Sequence, residues 1–141
     1  MNDDELIREI WKNFVGEPHV FLATVEGDQP RVRPVTLINL QNKLFVTTGS
    51  NDAKVKQLRR NPKMEFCLIF EKEERKGTIR AECSATIVED KDLKAAVYNN
   101  VSFAKEFWGS PQDPNYTLIE LQPKTFEYLR PGTFQAQKIY V

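Results

Sequence analysis

Histidine is nearly missing from this chain. His19 is the only one in 141 residues, and it stands beside no cysteine or acidic cluster. That excludes the metal sites built on spaced His/Cys ligands. It also leaves no nucleophile–base pair to read along the chain, since neither cysteine has a histidine nearby in sequence and no serine sits in an elbow-type motif. The cysteines number only two, Cys67 and Cys83, each inside an apolar run and outside any CxxC. They read as reduced core thiols of a cytoplasmic protein. Excess charge is absent as well: 20 basic and 20 acidic side chains cancel. A nucleic-acid partner, which needs a basic face, is not expected. No apolar run approaches the length of a membrane span. The opening Met1-Asn2-Asp3-Asp4-Glu5 has neither the basic nor the apolar region of a signal peptide. A Gly-rich turn between alternating strands and helices is missing, which argues against a dinucleotide-binding parallel sheet.

What is present is a series of short strands. The length corresponds to one domain, 1–141, able to bury a core without disulfide or metal. Residues 3–14 carry Leu6, Ile10 and Phe14 on one helical stripe. His19 to Val25 reads as a buried strand, and Arg31 to Leu40 and Leu44 to Thr48 as the next two, joined by tight turns into an antiparallel meander. Asp52 to Arg60 is predicted helical. Met64 to Phe70 and Thr78 to Val88 alternate as strands around the charged turn Glu71 to Gly77. Asp90 to Asn99 is a helix, with a shorter piece through Phe107. Tyr116 to Leu121 and Lys124 to Leu129 are two strands separated by Gln122-Pro123, and the chain ends in a tail. Six or seven strands in this order fit a closed antiparallel barrel with short helices, since closure removes exposed edges.

Two neighbouring segments carry chemistry. Alternation along Arg31 to Leu40 places Val32, Pro34, Thr36, Ile38 and Leu40 on one, nearly core-like face. Arg31, Arg33, Val35, Leu37 and Asn39 share the other. Two cations among apolar neighbours are expensive unless an anion offsets them, and the planar guanidinium fork suits a phosphate. Pro34 cannot donate to a ladder, so it marks an edge where backbone is left free for a ligand. A hairpin later, Thr47, Thr48 and Ser50 offer hydroxyls and Gly49 allows close approach, just before a helix whose N-terminus is suited to an anion. Lys54, in the first turn, opposes the helix dipole unless an anion lies at the helix start. Exposed arginines and an ordinary Thr/Ser helix cap would leave the same residue pattern. Together the segments favour a pocket for one phosphate monoester.

The run Phe21-Leu22-Ala23-Thr24-Val25-Glu26-Gly27-Asp28-Gln29-Pro30-Arg31-Val32-Arg33-Pro34-Val35 resembles the first hairpin of the pyridoxamine 5'-phosphate oxidase-like, FMN-binding split-barrel family. It is most similar to the small bacterial general-stress and nitroimidazole-resistance members. Leu44 to Thr48 and Lys54 to Lys63 resemble the family's next strand and helix. Ile79-Arg80-Ala81-Glu82 resembles a later strand, with Cys83 where glycine is usual. The likeness runs from about Val20 to Leu129. It implies a mainly β, six-stranded antiparallel split β-barrel, a homodimer, and FMN at the dimer interface. It further implies that Arg33 and Lys54 hold the FMN phosphate with Thr48 and Ser50, and that Pro34, Val35 and Thr36 lie against the flavin ring. Thr47 and Gln57 are further candidates. Trp108 either covers the flavin from the other subunit or packs in a core or interface. The family's oxidases read their vitamin substrate partly with an Arg-x-His pattern near the C-terminus. This chain ends Phe134-Gln135-Ala136-Gln137-Lys138-Ile139-Tyr140-Val141, without it.

The expected activity is therefore flavin-dependent oxidation or reduction of a small organic molecule by hydride transfer, with no catalytic residue assigned. A flavin carrier or sensor without a dedicated substrate is the alternative. A deazaflavin or haem in place of FMN is a third reading; haem would need an axial ligand, for which His19 is the one histidine.

Overall fold

The computed structural model describes residues 1–141. Helix α1 (Asp3–Trp11) starts at Asn2, whose side chain accepts from the backbone N–H of Glu5. Strands β1 (His19–Glu26), β2 (Gln29–Thr36), β3 (Ile38–Leu40) and β4 (Lys43–Gly49) precede helix α2 (Ala53–Arg60). Then come β5 (Lys63–Lys72), β6 (Arg75–Ile87), helices α3 (Lys91–Asn100) and α4 (Ala104–Phe107), β7 (Tyr116–Leu129) and β8 (Gln137–Tyr140). The strands form one antiparallel sheet in the order β2-β1-β5-β6-β7-β4-β3, with β8 added to β7. The sheet curls into a half-barrel, the split-barrel architecture, with eight strands where six or seven were expected.

The inside of the curl holds a 22-residue apolar cluster that includes Leu22, Val46, Phe66, Ile79, Ile119 and Phe126. Helices α1 and α2 close over it, α1 through Leu6 and Ile10, α2 through Val55 and Leu58. The turn after α1 delivers Phe14, fully buried, edge-on to Trp11 at 5.3 Å and Phe66 at 5.7 Å. A second cluster of ten residues lies under α3 and α4, where Phe45, Tyr98, Trp108, Tyr116 and Leu118 meet. Far across the sheet, the Tyr128 hydroxyl donates to Glu9 Oε2 at 2.7 Å, and Arg130 Nε pairs with the same carboxylate at 3.1 Å. This ties β7 to α1. Burial, with the Glu9 carboxylate second, pushes the Tyr128 phenol upward, so it remains a donor at any working pH. Tyr128→Phe is expected to lower unfolding stability by about 1–2 kcal/mol, read as a reduced urea midpoint with unchanged slope.

Several expectations are corrected. The first three strands are not a continuous meander: β1 pairs with β2 and β5, and β3 pairs with β4, but β2 and β3 do not pair. The chain switches sides at Leu37, whose N–H turns to Pro18 O at 2.8 Å. Leu37 joins the first cluster and Ile38 the second. The face of β2 expected to be core-like is the outer one, with Val32 70 % exposed. Val35 packs on the core from the same face as Arg33. Strand β1 is half-buried, since Phe21 also faces outward. The β5–β6 turn is only Glu73-Glu74, both at positive φ, and the strands continue through the charged residues on either side. Gly77 is needed there, because a Cβ would lie 2.6 Å from the Phe70 ring and 2.9 Å from Leu129 O. Gln122-Pro123 does not divide β7. The register to β6 skips Lys124 instead, and Pro123 falls between the stretches of β7 that pair with β4 and β8, where no N–H is required. The expected tail contains β8.

Candidate functional site

Strand β2 lies at one end of the sheet path, so beyond β1 its other edge carries no strand. Arg33 pairs across from Leu22, and its side chain reaches back over the hairpin. Nη1 donates to Leu22 O at 3.1 Å and Nη2 to Gln57 Oε1 at 2.7 Å. The same Gln57 oxygen accepts from the buried Thr24 hydroxyl at 2.5 Å. Gln57 is thus the post that fixes Arg33 to α2. A guanidinium has five N–H donors, so these two bonds leave donors for a ligand. Burial pulls the Arg33 pKa down, with Asp52 acting in the opposite sense and Arg31 adding to the lowering.

Lys54 sits one turn earlier on the same side of α2 as Gln57. Its side chain is only 10 % exposed. Nζ donates to Thr48 Oγ1 at 2.9 Å and pairs with Asp52 Oδ1 at 2.9 Å. Asp52 is the N-cap rather than the first helical residue, and Oδ1 also accepts from the Lys54 backbone N–H at 3.0 Å. Burial alone would raise the Asp52 carboxyl. The hydrogen bonds and charge of Lys54, with the charge of Arg33, hold it below its ordinary value. Lys54 contacts this carboxylate directly, while Arg33 is bonded to Leu22 and Gln57 and reaches Asp52 only through its charge.

The remaining candidates separate. The Thr47 hydroxyl is buried without any hydrogen-bond partner, an exception among buried polar atoms. Ser50 Oγ is turned to the loop before β7, donating to Pro114 O at 2.8 Å and lying 2.7 Å from Thr117 Oγ1. It therefore braces the β4–α2 turn within the chain. Pro34 is exposed, and Val35 and Thr36 are half-buried, along the open-edged strand. Trp108 takes the packing role: it is buried in the second cluster, its ring 5.1 Å from Tyr116 and its carbonyl accepting from Tyr98 Oη at 2.5 Å. Asp52 is the residue that sequence reasoning missed. Its signal was a carboxylate two residues before Lys54, at the position where N-caps stand. Five cavities of the chain are lined by neither Arg33 nor Lys54. One of about 610 Å³ lies elsewhere, lined by Ala23, Glu65, Glu82, Lys124, Thr125 and Tyr140 among others. Cys83 borders it, but burial pushes that thiol up to about 12, so it stays protonated.

The half-barrel, closed by α1 and α2, defines a split-barrel protein. The chain belongs to the pyridoxamine 5'-phosphate oxidase family, whose pattern it matches over residues 4–130. Solved structures agree on the fold. General Stress Protein 26 from Bacillus anthracis str. Sterne is 28% identical, with 97% of this chain and 99% of that one covered at a TM-score of 0.78. A pyridoxamine 5'-phosphate oxidase-related, FMN binding protein from Nostoc punctiforme PCC 73102 is 19% identical, covering 99% and 95% at 0.68. A heme binding protein from Mycobacterium smegmatis is 15% identical, covering 88% of this chain and 53% of its own length at 0.73. No curated protein matches the chain. None of its helices is long and apolar enough to cross a membrane.

Proposed function

We propose that the chain binds FMN between two copies of itself and works as an oxidoreductase on a small organic molecule. The observation that carries this reading is that two cations are tied to α2, Arg33 through Gln57 and the nearly buried Lys54 through Thr48 and Asp52 at the helix start. The open edge of β2 fits the same ligand, which brings polar atoms on its ring. A solved relative described as FMN binding supports the choice of cofactor. The resemblance in the β1–β2 hairpin assigns Arg33, Lys54 and Thr48 to the phosphate, and Pro34 to Thr36 to the ring.

When bound, the flavin supplies hydride transfer, and the chain supplies position and charge. Arg33 and Lys54 anchor one end of the ligand, while Gln57 keeps the guanidinium aimed. Main-chain groups on the free edge of β2 orient the other end. Half of such a site would come from a second copy, as the resemblance in the β1–β2 hairpin implies. The surface suited to that copy is the outer face of β1, β2 and β5, where Phe21, Val32 and Ile69 are each about half or more exposed. Register places Val32 beside Ala23 and Pro34 beside Phe21 and Cys67 on this face.

The absorbance spectrum of the freshly purified protein tests the cofactor directly: flavin bands are expected, and a Soret band in their place would overturn FMN in favour of haem. Bleaching by a nicotinamide cofactor, with reoxidation by an acceptor, supports turnover. Bleaching by dithionite alone would make the protein a flavin carrier. Saturation with FMN at about 100 times its dissociation constant should add about 2.7 kcal/mol of stability, seen as a raised melting temperature. A melting curve indifferent to FMN counts against binding.

A further inference from the structure

The geometry points to Asp52 as a built-in competitor for the anion that Arg33 and Lys54 hold, a residue that sets how tightly the site takes a phosphate and in which charge state. This rests on the flavin-phosphate reading above and adds to it a control within the chain. Lys54 Nζ, nearly buried, is already paired with Asp52 Oδ1 at 2.9 Å, and the same oxygen takes the Lys54 backbone N–H at 3.0 Å. An incoming oxyanion at the helix mouth needs both of those donors. The Asp52 side chain is 44 % exposed, so it is open to solvent where the ligand would arrive.

Capping does not require this charge, since asparagine and serine cap helix starts as well as aspartate. What the ionised residue adds is one negative charge in contact with Lys54 and felt by Arg33. The charged groups acting on Asp52 are Lys54 from its own helix and Arg33 from β2. From β4 the Thr48 hydroxyl meets Lys54 and does not titrate. The cradle therefore carries a net charge of +1, matched to a singly charged head. A phosphate monoester takes on its second charge near pH 6. Above that pH the ligand is a dianion, and Asp52 must give up Lys54 and sit beside two negative charges. The Asp52 carboxyl, held below its usual range, stays ionised throughout, so only the ligand titrates. Asp52 thus keeps the phosphate exchangeable at neutral pH.

The experiment uses Asp52→Asn, which keeps the cap, with Asp52→Ser as a second capping variant. Apoprotein is titrated with FMN and with riboflavin, which lacks the phosphate, at pH 5 and pH 8. Both variants are expected to bind FMN about tenfold tighter than the parent at pH 8, a gain of the size given by one screened charge–charge repulsion. The gain should be smaller at pH 5, and riboflavin affinity should not change. Equal FMN affinity in parent and variants at both pH values overturns the role of Asp52 while leaving the flavin site standing. A gain shared by riboflavin overturns it too, because the effect then does not act on the phosphate. Failure of the parent and both variants to bind any flavin removes the flavin reading itself and this inference with it.

Discussion

Lys54→Ala lowers FMN affinity by about ten- to a hundredfold, the range expected for one charge-assisted contact to a phosphate, while riboflavin affinity changes little. The protein should stay folded. The variant loses the Thr48 and Asp52 contacts of the ammonium, but the Asp52 carboxylate is partly exposed and keeps its capping bond to residue 54. Arg33→Ala is expected to act in the same direction, and Arg33→Lys to rescue poorly. An ammonium cannot reach Leu22 O and Gln57 and still present a planar fork to the ligand. In Arg33→Ala, Gln57 keeps its bond from Thr24, so the helix remains posted to β1. Flavin fluorescence titration measures these effects. Unchanged FMN affinity in both alanine variants would remove the site.

The second large effect is on stability. Phe14→Ala should cost about 3–5 kcal/mol, a large share of the 5–15 kcal/mol typical of a domain. The ring is fully buried, 5.3 Å from Trp11, 5.7 Å from Phe66 and 5.9 Å from Phe126. Trp11 itself meets Phe126 edge-on at 6.3 Å, so the cavity would open where α1 seats on the barrel. Phe107→Ala is the control: the side chain is 68 % exposed, and its loss should fall within about 0.5 kcal/mol. Urea unfolding measures both. A loss below about 1 kcal/mol for Phe14→Ala would show that α1 is held by other contacts.

The strands that the sequence makes legible are those with one wet and one dry face. In β6, Ile79, Ala81, Cys83 and Ala85 are buried in strict alternation, as expected. In β5, Met64, Phe66 and Leu68 are buried and Ile69 is not. Elements whose partners lie far away in sequence left weaker marks. Strand β8 carries a single inward apolar residue, Ile139, 2 % exposed, and no period can be read from one residue. Its existence depends on the flank of β7 that β4 leaves free. The face of β2 was inverted for a related reason. Val32 and Pro34 look like core residues by type, but the guanidinium of Arg33 has its partners on the inner side, so the apolar residues turn outward.

The site divides along the same line. Local sequence determined its ingredients: a strand bearing Arg33, hydroxyls at Thr47 and Thr48, and a lysine in the first turn of a helix. Each follows from nearest-neighbour stereochemistry, which acts over a few residues. Only the curling of the sheet decided that Lys54 meets Thr48, that Gln57 links Thr24 to Arg33, and that Trp108 belongs to a core. These relations join residues from 6 to 33 positions apart, and at the longer of those separations no local preference fixes where a side chain ends.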